Sequence, residues 1–144
     1  MSLRVLGLGR DERGDDGVGL AVVRRLQAMG IPAVALPDPS ALVECLDGTP
    51  TLLVDAVLAE PPGRLLELTL ADLERTPAVS SHAMSVPDAI RLADVLNGPT
   101  PLRILGIAIH PPGPIQTGLS PAVAAAVGVA VERVHQLLES SSDA

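Results

Sequence analysis

The sequence has no phenylalanine, tyrosine or tryptophan, no lysine among its 10 basic residues, and a single cysteine in 144 residues. Without aromatic rings the core must be built from Leu, Val, Ile and Ala. The same absence removes any platform for stacking nucleobases. With a formal charge of −7 there is also no basic stripe to track a phosphate backbone, so nucleic-acid binding is excluded. One cysteine, Cys45, rules out an internal disulfide and any cysteine-based zinc site. The longest apolar run, Pro121 to Val131, falls far short of the roughly 20 residues that span a bilayer. Arg4 and Arg10 interrupt the amino terminus before a secretory h-region can form. These absences point to a cytoplasmic protein with no membrane or nucleic-acid partner.

What is present reads as one α/β domain. A chain of this length buries roughly two-thirds of its unfolded surface in a single core. Leu3–Leu8 forms a first strand, and Val18, Ala21, Val22, Leu26 and Met29 then recur at helical spacing. Ile31–Leu36 is a second strand, which Pro32 relegates to an edge or a late start. Ser40 caps a brief helix ending near Gly48. Thr51–Asp55 is almost wholly apolar, the pattern of a strand covered on both faces. Arg64–Thr69 is a further strand, followed by a capping box at Thr69 and Asp72. A second box, Ser85 and Asp88, opens a helix with Ala89, Leu92, Ala93 and Leu96 inward, ended by Asn97-Gly98-Pro99. Arg103–Ile109 is the last strand. Ser120-Pro121 starts a final helix with Val123, Val127, Val131, Val134 and Leu138 on one face. Alternating strands and helices predict a three-layer domain over residues 1–138: a twisted, mostly parallel central sheet with helices on both faces. Residues 139–144 read as a flexible polar tail.

The most distinctive segment is Gly7-Leu8-Gly9-Arg10-Asp11-Glu12-Arg13-Gly14-Asp15-Asp16-Gly17-Val18-Gly19, at the junction of the first strand and first helix. A glycine-rich loop there ordinarily cradles a phosphate. Four carboxylates oppose an anion, no lysine follows, and Glu12 replaces the third glycine of a dinucleotide fingerprint. The loop suits a cation instead.

In open α/β sheets sites form beyond the carboxyl ends of the strands. Asp15 and Asp16 follow the first strand, Asp55 ends the strand Thr51–Val54, and His82 precedes the helix at Val86. Two carboxylates and an imidazole are an oxygen and nitrogen set suited to nickel, zinc or a similar divalent ion. Each residue also has a plainer reading. Asp15 serves as a cap or dipole partner of the helix at Gly17. Asp16 points about 100° away from it on a helical turn, so the two cannot share one role. Asp55 is a turn former, though an acid after four apolar residues is costly unless paired. His82 alone is a loop histidine. His110 and His135 read as structural, and Cys45 as a small core residue. Gly17 and Gly19 permit close helix–strand packing. A serine nucleophile is not supported.

Taken together, these segments resemble the hydrogenase maturation endopeptidases, which process the carboxyl terminus of the nickel-containing hydrogenase large subunit. Gly7-Leu8-Gly9 followed by Arg13-Gly14-Asp15-Asp16-Gly17-Val18-Gly19 is similar to the family's amino-terminal signature. Asp55-Ala56-Val57 with Pro62-Gly63 is similar to its second block, and Ser80-Ser81-His82 with the helix Pro87–Leu96 to its third. Gly106-Ile107 and Gly118-Leu119-Ser120-Pro121-Ala122-Val123 resemble its last. The likeness spans nearly the whole chain. It implies a compact α/β fold and three metal-contacting positions, which by motif are Asp16, Asp55 and His82.

The implied substrate is a large-subunit precursor carrying its own nickel. The implied reaction is one endoproteolytic cut that removes a carboxyl-terminal extension. The metal would arrive with the precursor, with zinc or another divalent ion as a surrogate. It would serve as a recognition element or as a Lewis acid, and Asp16 or Asp55 would alternatively be the general base. Arg10 stands where the family commonly has asparagine; it pairs with Asp11 or Asp15, or contacts substrate. His110-Pro111-Pro112 also departs from the family pattern. The expected enzyme is a monomer. Competing expectations are a non-catalytic nickel-binding or chaperone-like relative, and a hydrolase holding its own zinc.

Overall fold

The computed structural model describes residues 3–10, 14–76, 84–111 and 118–142. Its sheet has five strands: β1 (Arg4–Leu8), β2 (Val34–Leu36), β3 (Thr51–Leu58), β4 (Leu65–Leu68) and β5 (Leu102–Ile109). The spatial order is β2-β1-β3-β5-β4, parallel throughout except for β4, which runs antiparallel to β5 at one edge. The helices are α1 (Val18–Ala28), α2 (Leu42–Cys45), α3 (Leu70–Glu74), α4 (Val86–Asn97) and α5 (Pro121–Ser142). This is the three-layer arrangement expected from the sequence. None of the described helices is long and apolar enough to cross a membrane.

Alternation along β3 divides the molecule into two cores. Leu52, Val54 and Ala56 pack with Val18, Val22 and Leu26 of α1 and with Val123, Val127, Val131 and Val134 of α5. Leu53 and Val57 face the other way, onto Leu42 of α2, Leu73 of α3 and Ala89, Ile90 and Ala93 of α4. Period 2 places Asp55 on this second face, between Leu53 and Val57. With no aromatic ring in the chain, both cores are filled by branched aliphatics and alanine, so the layers approach closely. The tightest approach is at Gly19: a β-carbon there would lie 2.2 Å from the Leu8 carbonyl oxygen and 2.8 Å from that of Val54. Only glycine lets α1 cross the sheet at this height.

Several local expectations need correction. The cap before Pro39–Ala41, a 3-10 turn leading into α2, is Asp38, which accepts the Ser40 N–H; Ser40 is not the cap. The strand containing Asp55 continues to Leu58, so the acid lies within β3 and not at its end. Pairing with β1 stops at Val54 while pairing with β5 continues, and Asp55 is therefore the first β3 residue past the β1–β3 ladder, level with Leu8 at the end of β1. Helix α4 turns Ala89, Ile90 and Ala93 inward, whereas Leu92 and Leu96 are exposed. Ala89 and Ala93 are inward as expected, and Ile90 takes the place expected for the two leucines. Ser85 accepts the Asp88 N–H, but the Asp88 carboxylate turns to Arg91, so the box is one-sided. The box at Thr69 and Asp72 is complete. Helix α5 runs past Leu138 through Ser142, taking in most of the segment expected as a flexible tail. The late, edge position of β2 is as Pro32 implied.

Candidate functional site

From β1 the chain passes to β2 on one side, then returns to place β3 on the other. The crevice between β1 and β3 is thus the point at which the strand order reverses, where open α/β sheets form ligand sites. Two acids reach it from different directions. Asp16 comes from a 3-10 turn, Gly14–Gly17, between β1 and α1, and Asp55 comes from β3. Both line a cavity of about 420 Å³ above this crevice.

The loop reaches the crevice because of its glycines. Gly14 has φ +58°, in the left-handed region that other residues avoid. At Gly9 a β-carbon would stand 2.6 Å from the Asp16 carbonyl oxygen. Close contact between the strand end and the turn carries Asp16 inward, leaving it only 6% exposed. Its neighbour Asp15 points elsewhere. The Asp15 carboxylate accepts the backbone N–H of Ser120 at 2.7 Å and the Ser120 hydroxyl at 2.7 Å. It therefore binds the start of α5, not the start of α1 as expected. Nor does it pair with Arg10, whose Nε donates to the Pro37 carbonyl at 3.2 Å. Arg10 does not line the cavity; it steadies Pro37, which does.

Asp55 is half-buried and accepts the Ala56 N–H at 2.8 Å. Burial pushes its carboxyl well above the usual carboxylate range, the negative charge of Asp16 pushes it further, and the Ala56 N–H opposes both. Like charges so close favour a shared proton or a cation between them. Oxygen donors at the mouth of a polar crevice suit a divalent ion.

The remaining wall carries residues that the sequence did not single out. Asp38 comes from the turn before α2, Glu74 from α3, and Asp88 and Arg91 from α4. Arg91 bridges Glu74 at 2.5 Å and Asp88 at 3.3 Å. Leu8, Val57, Leu73 and Val86 supply the apolar lining. The cavity thus has an acidic end by the sheet and an ion-paired, partly apolar end between α3 and α4. Of these groups, only Asp88 and Arg91 had a local signal, their spacing along one helix. Glu74 joins them through tertiary packing alone.

The third expected ligand, His82, lies outside the described residues, as do Ser80 and Ser81. Among the described residues no three His, Cys, Asp or Glu side chains come together as a metal cluster. His110 pairs with Glu60 at 2.8 Å and His135 with Glu139 at 3.5 Å, both away from the cavity. Cys45 is half-buried against the second core.

Solved structures of known proteins share this fold. A hydrogenase maturation endopeptidase, HybD, from Escherichia coli has a TM-score of 0.77 at 22% identity, covering 98% of this chain and 94% of that one. The [NiFe] hydrogenase maturation protease HybD from Thermococcus kodakarensis has 0.75 at 24%, covering 96% and 99%. An endopeptidase from Escherichia coli, solved in solution, has 0.80 at 20%, covering 96% and 94%. At such identities these likenesses speak for the fold. No curated protein matches in sequence. The family model HycI, hydrogenase maturation protease, matches residues 38–137. That span is well over half of the sequence, and the chain belongs to the hydrogenase maturation protease family.

Proposed function

We propose that this protein makes a single cut in the precursor of a hydrogenase large subunit, releasing a carboxyl-terminal extension once nickel is in place. In this reading Asp16, Asp55 and His82 grip the precursor's nickel, which is part of the substrate and leaves with the product. The observation that carries the reading is the convergence of Asp16 and Asp55 on one cavity at the sheet's reversal point. Two acids of like sign on one cavity call for a shared proton or a cation between them, and a metal-bearing precursor supplies the cation. A cation seated between them relieves the repulsion and favours the ionised form of both carboxyls.

The chemistry follows from that charge balance. With the metal absent, burial and the Asp16 charge make Asp55 hold a proton more tightly than an ordinary carboxyl does. With the metal present, carboxylate oxygens become available beside the bound ion. One of them would accept a proton from the attacking water, with the nickel polarising the scissile carbonyl, and the same carboxyl would then pass that proton to the departing amine. Metal insertion would thereby license cleavage. Arg10, through Pro37, helps shape the wall against which the extension lies. The enzyme acts as a monomer in the cytoplasm.

The test is an intact-mass measurement on nickel-loaded precursor. The wild type should shorten it and leave nickel-free precursor whole. His82→Ala should remain folded yet cut at least about 100-fold more slowly, as expected when a metal contact or proton-transfer group is lost. Normal cleavage by that variant overturns the assignment. A precursor bound but never shortened marks a non-catalytic nickel-binding relative. Stoichiometric zinc in the purified protein marks a hydrolase with its own metal.

A further inference from the structure

The acid beside the proposed ligand has a different partner, and the geometry points to a role for it. We propose that Asp15 is a positioning residue: its double hydrogen bond to Ser120 locks the Gly14–Gly17 turn to the start of α5 and so holds Asp16 toward Asp55. The inference rests on the reading that Asp16 and Asp55 act together on the precursor's metal.

Three observations support it. First, the turn is bounded by glycines. It is four residues long, begins at a left-handed glycine and ends at another glycine, and such positions are costly to keep ordered. Second, Asp15 and Asp16 are consecutive on a 3-10 turn, where successive side chains diverge by about 120°. Fixing one therefore fixes the direction of the other. Asp15 reaches Ser120, 105 residues away in sequence, while Asp16 faces the cavity. Third, Asp16 has to be held on the cavity wall beside a second acid, Asp55, and both line the same space. A charged acceptor taking both an N–H and an O–H at 2.7 Å is the strong, directional kind of hydrogen bonding that can do so. Helix α5 is a firm anchor: its apolar face is buried along most of its length against α1 and β5.

The prediction is a graded series read on nickel-loaded precursor, well below each variant's melting temperature. Asp15→Ala removes both bonds and should lower kcat about 100-fold, the cost of misplacing a reacting group by roughly an ångström. Ser120→Ala retains one bond and Asp15→Asn keeps both contacts without the charge, so each should fall between it and the wild type. Ser120→Thr keeps both donors and should restore the wild-type rate. In a double-mutant cycle, Asp15→Ala with Ser120→Ala should cut no more slowly than Asp15→Ala alone.

A purely structural tie would lower the melting temperature yet leave kcat unchanged at 25 °C; that result overturns the proposal, as do additive losses in the cycle. A second readout is calorimetric titration with Ni²⁺ alone, where Asp15→Ala should bind at least about tenfold more weakly than wild type. If the wild type neither cuts the precursor nor binds Ni²⁺, the metal-recognition reading itself fails. If it does both and the variants match it, only the positioning role fails.

Discussion

At the scale of single residues, Asp55 shows how a site can be set against stability. Its carboxyl is shielded by the sheet and repelled by Asp16, and one backbone N–H does not offset this, so the folded protein holds the Asp55 proton more tightly than the unfolded chain does. An acid raised in this way contributes most below the ordinary carboxylate range. Its contribution falls as pH climbs from that range to the raised folded value, and is flat beyond. Asp55→Asn abolishes this slope. The variant should therefore melt higher than wild type at pH 7.5, with the advantage fading toward about pH 3; calorimetric scans across pH check it. A variant no more stable at neutral pH would mean that the charge is already compensated. Asp72 and Glu67 behave in the opposite sense. Bonds from Thr69 hold Asp72 below its usual value, and bonds from Arg133 and Arg103 hold Glu67 below its own. Both lose their contribution as pH falls, though both are solvent-facing and contribute little.

At the scale of elements, the crossing of α1 over β1 and β3 has the least tolerance. Gly19→Ala would push a methyl into the carbonyls of Leu8 and Val54, and backbone cannot step aside as a side-chain tip can. The expected loss is about 2–3 kcal/mol, measured by urea denaturation. A neutral result would show that α1 can lift off the sheet. Elements of this kind were largely legible in the sequence. The apolar run at Thr51 named a central strand, Pro32 named a late edge strand, and Thr69 with Asp72 named a cap, because each depends on neighbours a few residues away. Errors arose where two local answers were equally good. Ser40 and Asp38 both precede a helical turn, and on α4 Leu92 and Leu96 compete with Ile90 for the place beside Ala89 and Ala93. Packing against the sheet decides between them, and no short window of sequence contains that information.

At the scale of the whole molecule, β3 belongs to both cores, so the two helical layers should not come apart separately. Leu52 faces α1 and α5 and Leu53 faces α2, α3 and α4, both at most 1% exposed. Leu52→Ala and Leu53→Ala should each cost about 2–5 kcal/mol and leave a single unfolding transition. Far-ultraviolet circular dichroism and hydrogen exchange must report it, because the chain has no tryptophan or tyrosine to fluoresce. Two separated transitions in either variant would show independent halves. The candidate site is partly legible at this scale too. Asp16 and Asp55 followed from the rule that parallel sheets present their loops at one end. The Asp15–Ser120 bond joins opposite ends of the chain, and the Glu74–Arg91 bridge depends on how α3 and α4 dock. Neither leaves a local trace.

The borders of the sheet have a consequence for behaviour at high concentration. On one side β2 offers three residues; on the other β4 offers four, with Glu67 clasped by Arg103 and Arg133. An incoming extended segment would find too few free amides and carbonyls to hold, and beside β4 it would meet charge. A crowded solution of folded molecules should therefore resist strand-by-strand polymerisation, despite the unusually aliphatic composition of the chain.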